Sequence, residues 1–146
     1  MERVILTEKN FNKLREEVKK NREKEIIFSS SDDELNRKVM EKLPINMLLI
    51  HLSGRKDFLK QRNSGFNEVM AKIAAKNGVK ICFDIEELVN SHEKERILSR
   101  LKQNIGLCKK SKLQVVFIES NEKRDPLLLK SLGLVLGMPT WMTKEI

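Results

Sequence analysis

Apolar residues recur along the chain in two alternating rhythms. Short β-rich runs appear at Val4–Thr7 (VILT), Glu25–Ser30 (EIIFSS), Asn46–Leu52 (NMLLIHL), Lys80–Ile85 (KICFDI), Gln114–Ser120 (QVVFIES) and Leu132–Met138 (LGLVLGM). Between them the apolar positions fall at helical spacing: Phe11, Leu14 and Val18; Leu35, Val39 and Leu43; Phe66, Val69, Met70, Ile73 and Ala74; Ile97, Leu101, Ile105 and Cys108. Helix starts are marked by Ser31-Asp-Asp-Glu34, which has capping-box spacing, by Ser64 and Ser91 as N-caps, and by Asp125-Pro126. Strands with continuous apolar faces that alternate with helices predict an α/β fold, a parallel sheet of about six strands covered by helices. There is no linker, internal repeat or low-complexity segment, and residues 1–146 read as one domain.

Charge narrows the function classes. Lys and Arg number 29 against 21 Asp and Glu, a net charge of +8 with a pI near 9.6, and 34% of residues are charged. Such an excess favours polyanions, nucleic acid first. No apolar run approaches the roughly 20 residues of a membrane span. MERVILTEKN meets acid and lysine too early for a signal peptide. Cys82 and Cys108 form no metal-type pair and read as buried thiols of a reducing, cytoplasmic compartment.

Basic residues gather after two of the strands, in HLSGRKDFLKQRNSG and in SNEKRDP. In parallel α/β folds ligands bind at the carboxyl ends of strands, where loops and helix N-termini converge. Arg55, Lys56, Lys60, Arg62, Asn63, Lys123 and Arg124 could therefore share one face as candidate nucleic-acid-binding residues; the alternative is two unrelated solvated loops. His51 and Asp84, at strand ends, are expected as polar support: a packed or nucleic-acid-facing imidazole, and a partner for loop backbone or a neighbouring arginine. Only two histidines are present, with no His-x-His pair, so neither a metal site nor a catalytic set is expected. Neither cysteine has a recognisable base, and there is no Gly-rich phosphate loop. The phenylalanines fall mainly at stripe or strand positions and read as core.

The loop–helix–strand cassette Arg62–Asp84, RNSGFNEVMAKIAAKNGVKICFD, resembles the central signature of the archaeal ribonuclease P protein component 3 family. Glu95-Arg96 and Asn104–Lys110 resemble that family's long helix, and Arg124–Met138 its closing helix and strand, with Leu128 at an often acidic position. The resemblance runs from about Ile50 to Met138. It implies a TIM-barrel-like, PHP-type fold. Six strands fall short of a closed eight-stranded barrel, which takes at least ~200 residues, so an incomplete barrel lacking the family's first strand–helix units is expected. It also implies an RNA-binding subunit of ribonuclease P that binds no cofactor itself and assists a Mg²⁺-dependent catalytic RNA in removing 5′ leaders from precursor tRNA. The implied partners are that RNA, precursor tRNA indirectly, protein component 2 and other protein subunits. Two other readings are a metal-dependent phosphoesterase on the same kind of barrel and a protein–protein adaptor without RNA binding. The exposed sheet edges, Val4–Thr7 and Leu132–Met138, are expected to be covered by a second copy in a homodimer, by component 2, or partly by the tail around Trp141; otherwise the strands curl and shield one another.

Overall fold

A computed structural model describes residues 2–120 and 122–146. The elements run β1 (Arg3–Leu6), α1 (Phe11–Lys20), β2 (Glu25–Ser29), α2 (Asp33–Lys42), β3 (Met47–Leu49), α3 (Glu68–Asn77), β4 (Lys80–Asp84), α4 (Ile85–Val89), α5 (Lys94–Lys110), β5 (Val115–Ile118) and α6 (Pro126–Val135), closed by a 3₁₀ segment, Thr140–Glu145. The five strands are all parallel and pair in chain order, β1-β2-β3-β4-β5. Sequential order without a reversal means that every right-handed crossover leaves its helix on the same side of the sheet. That is the winding of a TIM-type barrel, here an open sheet; among the described residues no ladder joins β1 to β5.

Strand parity separates two cores. Ile26, Phe28, Leu48, Ile81, Phe83, Val115 and Phe117 face the helices and pack with Leu14, Val18, Val39, Met40, Ala71, Ala74, Ile97, Leu101 and Ile105. Their alternates, Ile27, Met47, Leu49, Cys82 and Val116, form a second cluster made of strand residues alone, each 5% exposed or less. Side chains on the helix-free face of a flat sheet would stay wet. Their burial therefore records a sheet curled about its own inner face, as in a barrel interior.

The sixth expected strand is a correction. Leu132–Met138 is the end of α6 and its exit turn. Asp125 accepts from Leu127 N–H at 2.9 Å and Pro126 occupies the first helical turn, so the helix is already running when the leucines arrive. It stops in a Schellman turn, with Gly137 at φ +101 and Met138 N–H donating to Gly133 O at 2.9 Å. The second sheet edge is accordingly β5. The 3₁₀ segment packs against β5, with Met142 buried and Trp141 half-buried on the main core.

Helix starts also shift. Asp32, not Ser31, caps α2, accepting from Glu34 N–H and Leu35 N–H, so the Ser31–Glu34 box is not formed. Asn67, not Ser64, caps α3, and Val69 on that helix is 51% exposed rather than part of the buried stripe. Ser91 accepts from Glu93 N–H just ahead of α5. The short α4, absent from the sequence pattern, is capped by Asp84.

Candidate nucleic-acid interface

Parallel topology brings the segments that follow β2, β3, β4 and β5 to one end of the sheet. Every residue picked from the sequence as RNA-binding lies in these segments, as does His51, while Asp84 is the last residue of β4. The longest is the loop of residues 50–67 between β3 and α3, and its shape is set by side chains that reach into it.

Arg100 is the central one. It lies on the buried stripe of α5 at 0% exposure, and its guanidinium donates to Leu52 O at 2.8 Å, Arg55 O at 2.8 Å and Asp57 Oδ1 at 3.3 Å. Asn104, one turn on and equally buried, donates to Ser64 O at 2.9 Å. A loop that cannot pair its carbonyls in a sheet takes donors from a helix instead. Asp57 completes the knot by accepting from Asn63 N–H at 2.9 Å. That hydrogen bond and the Arg100 guanidinium hold the Asp57 carboxyl below its ordinary range.

Arg55 is turned inward. Its guanidinium makes a bidentate pair with Asp33 at 2.9 and 3.1 Å, and it also donates to His51 O and to Asn63 Oδ1. Only 9% of its side chain is exposed. Asn63 divides its amide between Arg55, Gly65 N–H and Lys56 O. These two shape the loop, and their polar atoms are committed to it. Gly65 explains its own presence: φ is +74, and a Cβ there would run into the Arg55 guanidinium.

Arg124 is likewise engaged. Its Nη1 donates to Glu86 Oε1 at 2.5 Å and its N–H to Glu119 Oε2, tying the loop after β5 to the start of α4. The Glu86 hydrogen bond, ahead of its charge, raises the Arg124 pKa. Lys56, Lys60, Arg62 and Lys123 are the exposed cations of the predicted set, Arg62 reaching only a long 3.5 Å contact with Gln103.

His51 Nε2 lies 2.6 Å from Ser29 Oγ, and His51 Nδ1 lies 3.9 Å from Glu87 Oε2. The order Ser–His–Glu has the outline of a nucleophile relay, but Ser29 is 3% exposed and closed to a substrate. Glu87 Oε1 accepts from Leu52 N–H, Ser53 N–H and Ser53 Oγ, which makes this carboxylate a clamp on the loop entrance. Asp84 accepts from Glu86 N–H. Among the described residues no group of three or more His, Cys, Asp or Glu side chains converges as a metal site.

Three features of this end went unread in the sequence. Arg100 and Asn104 interrupt the apolar stripe of α5 with polar side chains, and that interruption was the available signal. The Glu87 clamp depended on α4, which carries too short a pattern to find. Phe58 and Leu59, which lie in none of the apolar stripes or strand runs, are 65% and 101% exposed at the loop tip.

No family model matches the chain. Ribonuclease P protein component 3 of Methanosarcina acetivorans is 36% identical to it over an 83-residue alignment that covers 53% of this chain and 35% of that protein. The chain thus spans about a third of that relative's length. A chain in the cryo-EM structure of archaeal ribonuclease P with mature tRNA superposes with a TM-score of 0.77 at 24% identity, over 97% of this chain and 62% of that one. This second likeness establishes the fold. The family resemblance seen in the sequence is borne out by the first: over about half of its length the chain is similar to a protein named ribonuclease P protein component 3.

Proposed function

We propose that the chain is a component 3-type, RNA-binding subunit of ribonuclease P, acting with the catalytic RNA in endonucleolytic removal of 5′ leaders from precursor tRNA. One observation carries this reading: the 36% identity to a protein of that name, over more than half of this chain. The fold match to a chain of an archaeal ribonuclease P assembly supports it.

The chemistry required of such a subunit suits the site. Cleavage belongs to the RNA and its Mg²⁺. The protein supplies cations that screen phosphate repulsion while the RNA holds its active fold, with affinity arising from counterion release. Lys56, Lys60, Arg62 and Lys123, exposed at the strand ends, are the side chains placed for it. Arg55, Asn63 and Arg124 act behind them by shaping the loops. Recognition is mostly of shape and backbone, since the deep groove of helical RNA hides base edges. Protein component 2, further protein subunits and a cytoplasmic location complete the proposal.

The test is reconstitution. The chain is mixed with ribonuclease P RNA, component 2 and precursor tRNA, and 5′-leader release is followed at limiting Mg²⁺. Stimulation that disappears when the chain is left out is the expected result, and no RNA binding with no stimulation overturns the proposal. Alone with Mg²⁺, Mn²⁺ or Zn²⁺, the chain is expected to leave both precursor tRNA and a generic phosphoester intact. Turnover abolished by Asp84→Ala or His51→Ala would replace the proposal with a phosphoesterase.

A further inference from the structure

Phe58 and Leu59 stand out at the end of the sheet that carries the exposed cations. A single exposed apolar residue needs no explanation. Two adjacent ones at 65% and 101% exposure, on a loop whose base is tightly bonded, call for one. The tip is a narrow turn, with Phe58 N–H donating to Gln61 O at 2.8 Å and Gln61 N–H returning to Phe58 O at 3.4 Å. Immediately beneath it Asp57 is held by Asn63 and by the buried Arg100. The aromatic ring is thus presented on a preorganised support, which lowers the ordering cost of any contact it makes.

The surroundings are cationic. Phe58, Lys60 and Arg62 line one shallow cleft together with Asp57, Gln61 and Gln103, and Lys56 is exposed just before it in the loop. The one carboxylate there, Asp57, is occupied by its bonds to Asn63 and Arg100. Lysine is depleted from the cores of protein–protein interfaces, whereas an aromatic face beside lysine and arginine suits a nucleotide. Every base has a π-face to stack, and the flanking phosphates take the cations. Paired A-form RNA offers no open base face, because its bases already stack on one another.

We propose that the loop tip is a clamp for unpaired RNA, in which Phe58 stacks on one extruded base while Lys60 and Arg62 hold the adjoining phosphates. This rests on the RNA-subunit reading and adds the kind of RNA element recognised: a single-stranded loop, bulge or end.

The experiment compares two probes on the full chain, an oligoadenylate carrying one 2-aminopurine and a blunt RNA duplex of matched charge. Phe58→Ala is expected to weaken oligoadenylate binding about tenfold and to remove the 2-aminopurine fluorescence change, with duplex affinity and salt slope unaltered. Phe58→Trp is expected to retain binding. A Lys60→Gln/Arg62→Gln variant is expected to lower the magnitude of the salt slope by about two at most. If Phe58→Ala binds oligoadenylate like the unaltered chain while the charge variant is weakened, stacking is overturned and the RNA-subunit reading stands. Equal losses on both probes would mean a damaged loop, and would also overturn the clamp. Unchanged binding of both RNAs together with loss of self-association in sedimentation would assign the tip to a protein contact instead. If the unaltered chain binds neither RNA, the clamp is overturned, and the RNA-subunit reading is decided by the reconstitution with ribonuclease P RNA.

Discussion

Replacing Arg100 by methionine keeps most of the aliphatic stem and deletes the guanidinium on which the loop of residues 50–67 hangs. Exchanging a complete buried ion pair for apolar groups is often neutral or stabilising, because desolvation cancels the attraction. Here only one side of the arrangement is removed, and the acceptors stay where they are. Leu52 O lies in a buried bond and Arg55 O in a part-buried one, both at 2.8 Å. A hydrogen bond to a charged donor contributes about 1.5–3 kcal/mol. Two of them, the second discounted for solvent, amount to about 2–4 kcal/mol. Asp57 adds little, since its carboxylate is 40% exposed and water replaces the partner. Urea unfolding followed by circular dichroism should show that loss in midpoint at unchanged slope, and amide exchange should accelerate across the loop while α1 and β2 keep their protection. Unaltered or increased stability with normal exchange in the loop would refute the account, and would mean that the loop is held by its own internal bonds.

Gly65→Ala should cost at least about 1 kcal/mol, because a left-handed residue acquires a side chain that meets Arg55; Gly106→Ala, in open space on α5, should instead stabilise by up to about 1 kcal/mol, and paired urea curves test both. Burial pushes the Cys82 and Cys108 thiols far up, so a thiol reagent should label neither in the folded chain and both in denaturant. Asp57 binds its proton less readily folded than unfolded. Its contribution to the loop should therefore be complete above the ordinary carboxylate range, near pH 4, and be lost as pH falls through the depressed folded value, visible as faster loop exchange in acid and absent in Asp57→Asn. Neutralising Lys56, Lys60, Arg62 and Lys123 should each lower the magnitude of the salt slope of RNA binding by about one at most, whereas neutralising Lys19, Lys20 and Lys24, at the amino ends of the strands, should leave it intact; equal effects would move the RNA to another face.

Local pattern alone determined the alternation of strand and helix, the five parallel strands from VILT to QVVFIES, and the buried stripes of α1 and α5. Side-chain periods of two and about 3.6 are properties of the backbone, so a run of residues announces them without reference to its neighbours. The same rule misread Leu132–Met138, because L-G-L-V-L-G-M satisfies both periods, and only the capped start at Asp125-Pro126 and the absence of a paired strand decide for helix. The position of the basic loops at the strand ends was legible too, since chain order in a parallel sheet sends them there. Which cations remain exposed was not. Arg55 meets Asp33 across 22 positions, Arg124 meets Glu86 across 38, and Arg100 reaches Leu52 across 48. Those pairings arise only when the curled sheet brings separate crossovers to one end. That same curl buries Ile27, Met47, Leu49, Cys82 and Val116, and the knot around Arg100 leaves Phe58 standing outside it. A charge count treats Arg55 and Lys56 alike. The tertiary structure separates them, because one lies within reach of a carboxylate from a distant segment and the other faces water.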